Sequence, residues 1–242
     1  MKRKLSVFSM LLRHSFFKVL GICGAMAATN FGLFYANSPD PGECLPWLLD
    51  LSPLFWIFVV AFGLMTWVLC SALCDRGGKQ NLFLGRLRMS VKTIYLTHVV
   101  YHFLCYLLLF AVEALSLLGL CLWMRHDVPE QFNHQSLMLT CYQSDFLHTL
   151  FPMSDILGWV TLLSLLLGLG ICTAALPTRN RLGKYSISSF LMAGLTLLYL
   201  QMQREGGALF PDAKILAIIG TVIFALISLL NTMTMEVTGD AE

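Results

Sequence analysis

The sequence predicts an all-α, polytopic membrane protein with six transmembrane helices and an N-terminal amphipathic helix in the membrane interface. Three observations carry this expectation. Mean hydropathy is +0.72 with only 12% charged residues, against roughly 25% charge in a soluble domain. Six stretches provide the roughly 20 mostly apolar residues that a spanning helix needs. The sixteen lysines and arginines, finally, are distributed unevenly around those stretches. They gather in the N-terminus (Lys2, Arg3, Lys4, Arg13, Lys18) and in two loops (Arg76, Lys79, Arg86, Arg88, Lys92; Arg179, Arg181, Lys184). Only Arg125, Arg204 and Lys214 fall in or beside the alternate loops. Short loops rich in Lys and Arg stay cytoplasmic, so the alternation puts both termini inside.

The elements follow in chain order. Leu5, Phe8, Leu12 and Phe16 recur at helical spacing among Lys4, Arg13 and Lys18, which predicts an amphipathic helix in the inner interface that turns into the first span. Spans are expected at about 17–36, 54–74, 97–123, 156–176, 186–202 and 213–233. The start resembles a signal peptide, but its apolar run continues past Ala25, Ala27 and Ala28 to Ala36. A signal peptide has an apolar region of only about 7–15 residues, so an uncleaved first span is expected. Residues 37–53, with Pro39, Pro41, Pro46 and Pro53, read as an outer connection. The third span is the longest, and the fifth is short and serine-rich at its start. Between the third and fourth spans, Leu137, Cys141, Phe146 and Leu150 alternate with His134, Gln143, Asp145 and His148. That pattern predicts an interfacial or partly re-entrant helix ending near Pro152. Residues 1–242 thus form a single membrane domain.

Eight cysteines scatter through the chain, mostly as small apolar residues. Cys44, Cys141 and Cys121 fall toward the outer side, where a disulfide is chemically possible. Cys70 and Cys74 are one turn apart near the inner face, which is too few ligands for a zinc site.

One polar constellation lies inside a span. At about 100° per residue, Tyr95, His98, His102, Tyr106, Glu113 and Ser116 fall within an arc of about 80° on the third helix. Hydrocarbon satisfies none of these groups, so the face turns toward other helices or lines a pathway. A metal shared by His98, His102 and Glu113 is excluded by rise alone. Glu113 lies about 16 Å along the axis from His102, and metal ligands sit about 2 Å from the ion. Glu113, an ionisable group near mid-span, is a functional candidate or a packing glutamate.

The chain carries no nucleotide-binding loop. Neither Gly78-Lys79 nor Gly183-Lys184 has the earlier glycine of G-x-x-x-x-G-K-[ST], and neither G-x-S-x-G nor H-E-x-x-H occurs. No enzyme activity and no cofactor are expected in this chain, so an energy source has to come from another subunit or an ion gradient.

The loop before the third span is the most specific local feature. In Leu87-Arg88-Met89-Ser90-Val91-Lys92, continuing to Ile94, basic residues interleave with apolar ones. This stretch resembles the L-P-[IV]-S-[RK]-like segment between spans two and three of the membrane subunits of type-2 ABC exporters, the ABC-2 permease class. Arg88 stands where proline is frequent, and the basic residue comes one position later. Six spans and an amphipathic N-terminus are also similar to that family.

The resemblance implies a half-transporter permease in the bacterial plasma membrane. Such a subunit pairs with a second permease subunit, identical or related, and with cytoplasmic ABC ATPases that supply ATP and Mg. It further implies that Leu87, Arg88, Met89, Ser90, Lys92 and Ile94 form a coupling element for the ATPase. His98, His102, Tyr106, Glu113 and Ser116 are the pathway candidates. The alternative is a non-transporting assembly or immunity module that binds a cytoplasmic partner through the same loop. An intramembrane enzyme built on His98, His102 and Glu113 is disfavoured by their axial spacing.

Overall fold

A computed structural model describes residues 2–36, 53–71, 90–127, 144–152, 155–181, 186–204 and 212–239. Among them every regular element is an α-helix: α1 (Lys2–Ala36), α2 (Leu54–Ser71), α3 (Val91–Asp127), α4 (Asp145–Leu150), α5 (Ile156–Arg181), α6 (Ser188–Arg204) and α7 (Ala213–Gly239). Five of these, α1, α2, α3, α5 and α7, are long and apolar enough to cross a membrane. The chain is therefore an all-α, multi-pass membrane protein by helix length and composition.

Two elements depart from expectation. The N-terminal segment is not a separate interfacial helix. It continues without a break into the first span as one helix of 35 residues, about 52 Å long at 1.5 Å per residue. No proline interrupts it and its first glycine is Gly21, so nothing local forces a turn. The face it turns to α3 carries buried Leu11, Ser15 and Val19 and Phe8, which meets Tyr101 edge-to-face at 5.8 Å; of the expected stripe, Phe16 is exposed. The fifth expected span is α6, whose 17 residues reach only about 25 Å, short of the roughly 30 Å hydrocarbon core.

Helix α5 is the hub, packed against α2, α3, α6 and α7, while α3 holds α1, α2 and α4 around it. Missing side chains permit the closest approaches. A Cβ on Gly170 would lie 3.1 Å from the Val99 carbonyl and 3.2 Å from the Phe103 amide of α3. On another side of α5, a Cβ on Gly168 would meet Thr221 of α7, and Met192 of α6 at 2.9 Å. Small residues at membrane helix interfaces let backbones come together in this way.

The contacts also give the direction of each helix. Lys214, in the first turn of α7, pairs with Asp155 just ahead of α5, so α5 and α7 start at one end and run parallel. Between them α6 runs the other way: Ser188 at its start lies 3.4 Å from Ser228 far along α7. At its other end, Arg204 sits over the Phe55 ring of α2 at 4.8 Å. The short helix α4 caps this end of the bundle. The Ser144 hydroxyl accepts from the Leu147 amide at 3.3 Å, Phe146, Leu147 and Leu150 are buried, and Pro152 follows. A helix ending near Pro152 is expected here; Leu137, Cys141, His134 and Gln143 of the same stretch lie outside the described residues.

Cys23, Cys70, Cys105, Cys121 and Cys172 are all buried, and Cys121 packs within the hydrophobic core. Cys44, Cys74 and Cys141 lie outside the described residues.

Candidate functional site

The polar face of α3 is buried along its whole length. Tyr95, His98, His102, Tyr106, Glu113 and Ser116 are each at most 5% exposed. Helix α3 supplies the 3.6-residue period, and the neighbours supply partners in sequence along it. Near the start of the helix, the Tyr95 hydroxyl donates to the Ile171 carbonyl of α5 at 3.0 Å. One and two turns further on, His98 and His102 lie parallel, with ring centroids 6.2 Å apart. His102 Nδ1 is 3.0 Å from Thr173 Oγ1. Next, the Tyr106 hydroxyl donates to Thr66 Oγ1 of α2 at 3.0 Å.

Thr173 lies one turn before a proline in α5. Pro177 stands inside the helix and has no N–H, so it removes the donor that the Thr173 carbonyl would otherwise receive. The Thr173 hydroxyl meanwhile donates to the Leu169 carbonyl at 2.6 Å, leaving its oxygen free to accept from the histidine.

The upper end of the face is a three-residue cluster shared by α1 and α3. Asn30 Nδ2 donates to Glu113 Oε2 at 2.8 Å and to Ser116 Oγ at 3.1 Å. Ser116 in turn donates to the Glu113 carbonyl at 2.9 Å. Asn30 and Glu113 are both fully buried. Glu113 Oε1 and Asn30 Oδ1 have no hydrogen-bond partner among the described residues. Both are acceptors, so the cluster is short of a donor hydrogen. The cluster clasps α1 to α3 at a depth where a lone polar group is costly.

No group of three or more His, Cys, Asp or Glu able to hold a metal occurs among the described residues. The arrangement offers hydrogen-bonding groups and one carboxyl group.

At the other end of α3, Leu87, Arg88 and Met89 of the expected coupling element lie outside the described residues. Ser90 is the residue that begins the helix: its hydroxyl accepts from the Thr93 amide at 3.3 Å, and its carbonyl accepts from the Ile94 amide at 3.2 Å. Side-chain capping of this kind satisfies amides that have no partner within the first turn. Lys92 is exposed. Ile94 is only 5% exposed and belongs to the core.

The partners across the interface were not legible beforehand. Asn30, Thr66 and Thr173 are polar residues scattered through apolar helices, as is Ser15, which hydrogen-bonds Tyr101 at 2.6 Å. Their only signal in the sequence is polarity inside a span. Comparison with protein families, with curated proteins and with solved structures finds no match to this chain.

Proposed function

We propose that this chain is the membrane-spanning permease subunit of an ATP-driven exporter of the ABC-2 type, driven by a separate cytoplasmic ATPase and paired with a second permease subunit. The observation that carries this reading is the continuity between the inner loop and α3. Ser90 caps the helix, Lys92 is exposed beside it, and Ile94 and Tyr95 are buried within the next turn. Displacement of the loop would therefore move a helix bonded to α1, α2 and α5.

A six-crossing topology with both termini inside accompanies this reading. Helices α5 and α7 start at one end and α6 runs the other way between them, which supports taking α6 as the returning crossing. The second reading, a non-transporting assembly or immunity module, draws on a different observation. The polar face of α3 is packed against helices instead of lining an open passage.

Purification from native membranes tests the choice: an ATP-hydrolysing subunit should accompany the chain. Reversing charge at Arg88 and Lys92 together should reduce that association and transport-linked hydrolysis while insertion stays normal. If no such subunit accompanies the chain, or the double variant keeps full activity, the coupling role is lost.

A further inference from the structure

Helices α1 and α2 do not close fully on each other. Between them lies an open groove of about 610 Å³, within the range of sites that hold small molecules. Gly21 and Ala25 of α1 leave the space, and a Cβ on Gly21 would meet nothing within 4 Å. Ile57, Trp56 and Val60 of α2 form the facing wall. Thr29, the polar side chain at the far end, is already committed to the Ala25 carbonyl at 2.7 Å. The walls are therefore apolar throughout, except at the near end, where Lys18 enters the lining.

We propose that this groove binds one anionic phospholipid, with an acyl chain along α1 and α2 and the headgroup phosphate on the Lys18 ammonium. Two observations fix the occupant. From Lys18 to Thr29 the lining runs about 16 Å at 1.5 Å per residue, close to half of a roughly 30 Å hydrocarbon core and so to one leaflet. Charge agrees: neither 2–36 nor 54–71 contains an acidic residue, and Glu113, the one acid in the five apolar spans, is fully buried. The apolar spans of a second copy would bring Lys18 no exposed carboxylate. A lipid phosphate supplies the missing charge, and basic residues near the inner surface attract anionic lipid.

The experiment uses the full chain in nanodiscs of phosphatidylcholine alone or with phosphatidylglycerol, read by thermal unfolding and by quenching of tryptophan with bromine-labelled acyl chains. Phosphatidylglycerol should raise the midpoint of the wild type. Lys18→Gln should lose more than half of that rise, and Ala25→Leu, which fills the groove while keeping the charge, should lose it as well. Brominated phosphatidylglycerol should quench wild type more than Trp56→Phe. Equal stabilisation of wild type and both variants overturns the proposal. So does an equal rise from inorganic phosphate in plain phosphatidylcholine, which would assign Lys18 to a free anion. A native mass spectrum in which Ala25→Leu abolishes a dimer and leaves bound lipid unchanged would assign the groove to a second copy and overturn it too.

Discussion

The bond between Asn30 and Glu113 shows what a single polar residue does inside a span. Asn30 contributes the donor to two acceptors on α3, so truncating either partner strands a buried group. In a double-mutant cycle of Asn30→Ala and Glu113→Ala, followed by unfolding in detergent, the coupling should be about 0.6 kcal/mol and at most about 1.7 kcal/mol, the range found for membrane hydrogen bonds. Glu113→Gln keeps an acceptor for Asn30 and adds a donor, so it should retain more stability than Glu113→Ala. Additive effects of the two alanines would show that the bond does not hold the helices together. The face of α3 was legible because six polar residues repeat with the helical period. Asn30 was not, because it belongs to no periodic stripe of polar residues along α1.

Between helices, geometry set by absent side chains can be tested directly. Gly170→Leu would place carbon against the backbone of α3, where neither Val99 nor Phe103 can move its main chain cheaply. Overpacking of this kind costs about 1–3 kcal/mol, and a lowered denaturant midpoint is the expected result. Gly194, whose Cβ would meet nothing within 4 Å, should accept leucine with little change.

The α5–α7 pair adds a dependence on pH. The hydrogen bond from Lys214 holds the Asp155 carboxyl below its ordinary value of 3.8. A depressed folded value means that the contribution is complete above the unfolded pKa and fades as pH falls through the folded one. With both side chains about a quarter exposed (24% and 26%), the pair is worth about 0.2–1 kcal/mol. Asp155→Asn should lose that amount at neutral pH and show a flatter acid limb in a stability–pH profile. At this scale Pro152 marked the end of α4 from sequence. The unbroken run of α1 was hidden, because amphipathic periodicity reads the same whether an apolar face meets lipid or α3.

For the whole molecule, charge asymmetry and hydropathy sufficed for the class, an all-α multi-pass membrane protein. The weak point in the sequence, the serine-rich fifth segment, is also the short helix of the structure, since both reflect how few apolar residues α6 has to offer. Reporter fusions test the proposed six-crossing topology: tags at the C-terminus and at the N-terminus should report the same side, and a tag within 205–211 the opposite one. A C-terminal tag on the outer side would reduce the crossings to five.

If α6 crosses as proposed, it would also act on the bilayer itself. A crossing of about 25 Å in a hydrocarbon layer of about 30 Å would draw the two surfaces together by about 5 Å beside it, at a cost of fractions of a kcal/mol per Å. The protein would then carry a dimple on one flank, so that bilayer thickness tunes how firmly α6 is held. Thicker membranes should strain this flank first.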